Sequence, residues 1–185
     1  MSRTVRAVAG VPVPHLEIVL GAVAWVAGTL ALPTGVGTVL MAAGLGVTGV
    51  LWVSVRRRHG LGARLDRALR TQVLRLGLGV LVALVALGVV LPLVGGGWGE
   101  LTVPIGCAVV GVALFPLSSL LRERSYVALG GLLVVLAAVG ALLALNSAGA
   151  SLPQGVVGIV GALLLWLAGC RRIGLFGELR ARVGR

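Results

Sequence analysis

His15 and Glu17 are the residues of this 185-residue chain whose types best suit chemistry. An imidazole and a carboxylate are common general acids and bases, so this pair is the one route by which the chain could act on a lipid. A structural interpretation is also available, because Glu17 falls in the first turn of a predicted helix, where the helix dipole stabilises a carboxylate. We favour that interpretation and predict no catalytic residue.

Metal and cofactor chemistry has no matching pattern. Cys107 and Cys170 do not have the spacing of metal ligands, and the centres of the apolar segments contain no Asp, Glu, His, Lys or Arg. A proton relay, a haem ligand or a buried metal site would need some of these residues. We therefore predict no metal and no cofactor, and we expect a protein that is not an enzyme.

Positive charge is concentrated in the stretch from Arg56 to Arg75. Nucleic-acid binding is disfavoured, because the stretch lacks a set of aromatic residues for stacking. Two compatible interpretations stay open: charges that fix the orientation of the chain, or contact with anionic lipids or a partner at the cytoplasmic face. The candidate residues are Arg56, Arg57, Arg58, Arg64, Arg67, Arg70 and Arg75.

The same stretch carries an apolar stripe at helical spacing, formed by Leu61, Leu65, Leu69 and Val73. An amphipathic helix lying among lipid headgroups would produce this stripe, and so would an extension of the next membrane helix. The sequence favours neither. The basic tail at 173–185 repeats the pattern and predicts a second surface helix.

Trp25 falls near the middle of the first predicted helix, where its indole N–H needs a partner. It could face a cavity, but we favour packing against a neighbouring helix. Trp52 and Trp166 lie near arginine-rich helix ends and are predicted to be interface anchors, and Trp98 is predicted to do the same on the opposite side.

Pro116 lies inside the fourth predicted helix. It leaves the carbonyl of Val112 without its backbone partner and predicts a kink, and Ser118 or Ser119 is expected to satisfy the freed groups. A gating hinge is the functional interpretation, and we favour a static kink.

Composition points to lipid as the solvent of this chain. Hydrophobic residues make up 58% and charged residues 11%, against about 25% charged residues in a soluble domain, and the mean hydropathy is +1.11. Too few charges are present to cover the surface of a soluble fold, so the net charge of +11 is better explained by membrane threading than by nucleic acid.

Six apolar segments have the length of a membrane span, about 17–25 residues. They cover residues 16–32, 35–55, 74–94, 101–121, 126–145 and 155–170. Each must be helical, because in lipid only internal hydrogen bonds satisfy the backbone. We predict an all-α polytopic membrane protein, with one six-helix domain over 16–172 built as three hairpins, an amphipathic loop at 56–73, and end segments at 1–15 and 173–185.

The charges predict the orientation of these helices. All sixteen basic residues are arginines, and all fall in the segments that alternate helices place on one side, whereas the connections PTG, GGGWGE and NSAGASLPQ contain none. By the positive-inside rule both termini are cytoplasmic. The arginine, glycine and alanine usage is typical of a GC-rich bacterial genome, which predicts the bacterial inner membrane.

Small residues recur four positions apart on several helices and predict close helix packing. The pairs are Ala24 with Gly28, Ala42 with Gly46, Gly140 with Ala144, and Gly158 with Ala162. They fit a compact bundle, and they leave open a homo-oligomer or a membrane protein partner.

The stretch VVGVALFPLSSLLRERSYVALGGLL, residues 109–133, resembles a group of small six-helix bacterial membrane proteins. The shared features are Phe-Pro-Leu near the end of one helix, a basic turn, and a Tyr at the beginning of the next helix. The group has no established activity, so the resemblance implies the fold alone. We predict an accessory or structural protein that acts through helix or lipid contacts, with a transporter or channel for an uncharged or apolar solute as the alternative.

Overall fold

The computed structural model describes residues 14–59, 67–95, 98–146 and 152–172, and these residues are all helical apart from short connections. The six α-helices are α1 (Pro14–Leu30), α2 (Thr34–His59), α3 (Arg67–Val94), α4 (Thr102–Leu121), α5 (Ser125–Asn146) and α6 (Leu152–Arg172). A single 3₁₀ turn, Trp98–Leu101, leads into α4. The described part of the chain contains no strand, which confirms the all-α prediction.

Helix lengths match a bilayer. The 26 residues of α2 and the 28 of α3 extend about 39 and 42 Å at 1.5 Å per residue, beyond a hydrocarbon core about 30 Å thick. Within the described residues, five helices are long and apolar enough to cross a membrane, whereas α1, with 17 residues, is shorter. The six predicted segments therefore correspond to six helices, five of which have full spanning length.

The predicted apolar stripe is divided between two parts of the chain. Leu69 and Val73 belong to the first turns of α3 and pack against a cluster of buried residues drawn from α4, α5 and α6. Residues 67–73 therefore extend the membrane helix α3 at its beginning, which is the second of the two interpretations of the stripe. Leu61 and Leu65, like the tail at 173–185, lie outside the described residues.

The bundle is organised around α6, which packs against α1, α4 and α5. α2 covers the outer side of α1, and α3 covers α4, so α2 and α3 form the edges of the bundle. Their apolar side chains are largely exposed: Val39 of α2 is 70% and Leu93 of α3 is 79% exposed. Such a surface is costly in water and suits lipid.

Small residues set the closest helix contacts. A β-carbon on Gly28 of α1 would lie 2.9 Å from the Cα of Gly158 on α6, and one on Gly111 of α4 would lie 2.9 Å from the carbonyl oxygen of Gly130 on α5. At these crossings only hydrogen fits, so the two backbones touch. The prediction of close packing is confirmed for Gly28 and Gly158, whereas Gly46 of α2 has open space beside it.

Candidate functional site

A buried charge cluster lies where α1 begins and α6 ends. Nε of Arg172 is 2.8 Å from Oε1 of Glu17, and the two side chains are 8% and 0% exposed. Arg172 also pairs with Glu123, in the turn between α4 and α5, and donates to Oγ of Ser125 at 2.7 Å. One guanidinium thus joins three segments that are far apart in the sequence.

Tyr126 forms the apolar side of this cluster. Its side chain is fully buried, and Cζ of Arg172 lies 3.8 Å from the centre of its ring. A desolvated cation over an aromatic face gains up to about 2 kcal/mol. The ring therefore helps to hold the guanidinium in a position that is largely removed from solvent.

Helix geometry explains why these charges are tolerated. Glu17 lies in the first turn of α1 and Arg172 in the last turn of α6, and each charge has the sign that its helix dipole favours. Gly169 lies beside the carboxylate, and a β-carbon there would be in ordinary contact with Oε2 of Glu17, at 3.5 Å. The first-turn position predicted for Glu17 is confirmed, and its buried ion pair was not predicted.

The charges of the cluster do not cancel. Two carboxylates face one guanidinium, which leaves a formal charge of −1. Among the described residues, neither oxygen of Glu17 nor the hydroxyl of Tyr126 makes a hydrogen bond, so the attachment of Glu17 to Arg172 is electrostatic. Removing the guanidinium would leave the Glu17 carboxylate buried without a countercharge, which is the costly case for a buried ion pair.

His15 does not join Glu17. Its ring contacts Trp52 of α2, with the ring centres 5.2 Å apart, whereas Glu17 is paired with Arg172 of α6. Residues two apart on a helix do not face each other, so α1 directs the two side chains to different neighbours. The geometry does not provide the acid–base pair that lipid chemistry would need.

Trp25 packs between helices, as the sequence analysis favoured. It is 8% exposed, its Nε1–H donates to the carbonyl oxygen of Leu40 on α2 at 2.7 Å, and its ring stacks on Trp166 of α6 with the ring centres 5.1 Å apart. Gly44 lets the indole reach the α2 backbone, because a β-carbon there would overlap the ring.

The interpretation of Trp166 as an interface anchor is wrong. Trp166 is 4% exposed, and its Nε1–H donates to the carbonyl oxygen of Ile18 at 3.4 Å. Gly21 of α1 opens the space for it, since a β-carbon there would lie 2.5 Å from the indole. Sequence position gave the depth of Trp166 along α6, but not the neighbouring helix, α1, that buries it.

Replacing Trp25 with Phe should lower the free energy of unfolding by about 1–3 kcal/mol, because the hydrogen bond to Leu40 is lost and the smaller ring leaves part of the packed space empty. The measurement is equilibrium unfolding in mixed detergent micelles. Trp98→Phe is the control, because Trp98 is 51% exposed. Equal losses in the two variants would contradict a bridging role for Trp25.

The candidate arginines within the described residues lie on two helices, α2 and α3. Arg56 and Arg57 are exposed at the end of α2, and Arg75 is exposed on α3. The backbone of Arg58 belongs to α2, and those of Arg67 and Arg70 belong to the beginning of α3. Arg64 lies outside the described residues.

Pro116 is exposed within α4, away from the charge cluster. The hydroxyl of Ser118 donates to the carbonyl of Phe115 at 2.7 Å, and that of Ser119 to the carbonyl of Pro116 at 2.8 Å. The expectation that a serine would satisfy the carbonyl of Val112 is therefore wrong. Each hydroxyl reaches the carbonyl three residues before it.

An apolar groove runs between α1 and α3, with α4, α5 and α6 as its floor; we refer to it as the α1–α3 groove. Its larger part is a cavity of about 260 Å³, and a second cavity of about 50 Å³ continues toward the beginning of α3. Leu20 and Val110 line both, so the two cavities adjoin. Besides the thiol of Cys107, the lining polar side chain is Thr102, whose buried hydroxyl has no hydrogen-bond partner among the described residues.

Metal ligation finds no support in the part of the chain that the structure describes, where no group of three or more His, Cys, Asp or Glu side chains is placed to hold an ion. The described residues form a buried charge cluster at one end of the bundle and the α1–α3 groove along its side. The charge cluster holds helices together, and the groove can accept an apolar group.

The chain matches no family model, no curated protein and no solved structure. The resemblance seen in residues 109–133 thus stays a prediction.

Proposed function

We propose that the chain is a non-enzymatic six-span protein of the bacterial inner membrane, with both termini in the cytoplasm, that acts through contacts with lipids and neighbouring helices. The observation that supports the proposal is that the bundle has both an apolar groove and two outer helices, α2 and α3, whose exposed side chains are mostly apolar. In this proposal the protein has an accessory or structural role, and the surfaces that bind lipids or other helices face the bilayer.

The distribution of charge supports the proposed orientation. Arg56 and Arg57 at the end of α2, Arg122 after α4, and Arg171 and Arg172 at the end of α6 all lie at helix ends that alternate spans place on one side. An excess of arginine in short loops marks the cytoplasmic side. α1, at about 26 Å, is then a short span whose carboxylate is neutralised by Arg172.

Reporter fusions test this topology. Alkaline phosphatase should be inactive when fused to either terminus and active when inserted into the GGGWGE loop, because the enzyme needs the oxidising periplasm to form its disulfides. A fluorescent protein at each terminus provides the complementary signal. Phosphatase activity at the C-terminus would rule out the proposed orientation.

The α1–α3 groove also supports the second candidate, a transporter for an apolar solute. A cavity of about 260 Å³ is close to the lower end of the usual range for small-molecule sites. Flux of a fluorescent apolar solute into liposomes, abolished by Gly88→Phe in the cavity wall, would favour transport. Equal flux with and without the protein would favour the accessory role.

A further inference from the structure

We propose that the α1–α3 groove holds one acyl chain of an anionic phospholipid, whose headgroup lies at Arg75 of α3. The inference rests on the proposed function only for the assignment of the membrane sides. It adds a ligand class and a binding site to that proposal.

The shape of the groove fits a chain better than a compact solute. The α4 residues that line the two adjoining cavities run from Thr102 to Leu117, a distance of about 22 Å at 1.5 Å per residue. One leaflet of the hydrocarbon core is about 15 Å deep, half of the full thickness. The groove is therefore long enough for a whole acyl chain.

Access to the groove is sideways, from the bilayer. α3 packs on α4, and its main neighbours do not include α1, so α1 and α3 flank an opening. Gly77 and Gly88 of α3 line the two cavities, and a β-carbon on either would have no heavy atom within 4 Å. An acyl chain could enter there without threading through a closed pore.

The lining selects an apolar chain, but it cannot by itself select one lipid. Apolar groups gain little on leaving lipid for a protein surface, because the lipid tails are equally apolar. Discrimination must come from the headgroup, at the end of the groove formed by Leu16, Val73 and Leu117.

Positive charge on α3 favours an anionic headgroup at that end. Arg67 and Arg70 lie at the beginning of α3, and Arg75 has an exposed side chain next to Leu76, which lines the smaller cavity. From Arg75 to Val94 the helix carries no further charge and extends about 28 Å, nearly the thickness of the hydrocarbon core. Arg75 is thereby placed at headgroup level, where its guanidinium can attract a lipid phosphate.

Native mass spectrometry of the full chain, released from mild detergent with added phosphatidylglycerol or with phosphatidylcholine of identical chains, tests the site. Wild type should retain one phosphatidylglycerol per chain. Gly77→Phe and Gly88→Phe should each weaken that retention about tenfold or more, as expected when a filled cavity removes a binding contact. Gly79→Phe is the matched control, because Gly79 is also open but lies off the cavity walls.

The headgroup is tested by the same measurement. Phosphatidylcholine should be retained about fivefold less well, and Arg75→Gln should reduce that preference, since each nearby arginine attracts an anionic surface. Equal retention of both lipids, or equal losses in Gly79→Phe and Gly88→Phe, would overturn the proposal and identify freely exchanging boundary lipid. If one groove variant fails to fold, the other carries the test from the opposite end of the groove.

The reporter fusions separate this inference from the proposed function. A reversed reporter pattern with the expected lipid losses would contradict the orientation and leave the acyl-chain site standing. The expected reporter pattern with unchanged lipid retention would contradict the site alone.

Discussion

Replacing Arg172 with Gln is expected to lower the free energy of unfolding by about 3–5 kcal/mol, the usual cost of removing one partner of a buried ion pair. The fully buried carboxylate of Glu17 would lose its countercharge, and the turn that carries Glu123 would lose its attachment to α6. Because native proteins are stable by only about 5–15 kcal/mol, this loss would remove a large fraction of the total stability. Equilibrium unfolding in mixed detergent micelles measures the change.

Arg171 provides the control for this experiment, because it is the preceding residue, carries the same charge and is exposed. Arg171→Gln should change stability by less than about 0.5 kcal/mol. Adding Glu17→Gln to Arg172→Gln should recover part of the loss, since the uncompensated charge is then removed. Equal effects at positions 171 and 172, or no recovery in the double variant, would mean that the pair does not hold the helices together.

Replacing Gly158 with Ala should lower the free energy of unfolding by about 2–3 kcal/mol, at the upper end of the range for overpacking. The added methyl group would meet the backbone of Gly28, and a backbone cannot rotate away as a side chain can. α1 and α6 would have to separate along their whole contact. The loss should appear as a lower denaturation midpoint and as proteolytic sensitivity of the α1–α2 connection.

Gly161 lies on the same helix one turn later and receives the same substitution as a control. A β-carbon there would lie 3.6 Å from Sγ of Cys107, an ordinary contact. Gly161→Ala should therefore leave stability within about 0.5 kcal/mol of wild type or raise it slightly, because Ala is the better helix former. A larger loss at 161 than at 158 would contradict the close approach of α1 and α6.

Helix positions were predictable because lipid leaves the backbone no alternative. The predicted segment 101–121 and α4, Thr102–Leu121, differ by one residue at the beginning, and 126–145 and α5, Ser125–Asn146, by one at each end. The beginning of α3 was placed seven residues too late, at 74 instead of Arg67. The length of an apolar segment does not reveal that a helix continues beyond that segment into an arginine-rich stretch.

Contacts between helices were much less predictable than the helices. Periodicity places a residue at a depth and on a face of its own helix, but it does not say which helix lies opposite. Glu17, Glu123 and Arg172 could all be placed on the predicted cytoplasmic side from the sequence, yet nothing in it placed the two carboxylates against the Arg172 guanidinium. The prediction for Trp166 was wrong for the same reason. Its depth along the helix suggested an interface anchor, whereas its stacking partner, Trp25, lies 141 positions earlier in the chain and on another helix.

The pairing of α1 with α6 has a consequence for biosynthesis. The ribosome delivers Arg172 155 residues after Glu17, which at about 5–20 residues per second is roughly 10–30 s later. During that interval the first helix has neither its main packing neighbour nor its countercharge. A nascent chain that stalls before the last helix would present an unneutralised carboxylate on its first helix, so this ion pair can form only after α6 has been synthesised.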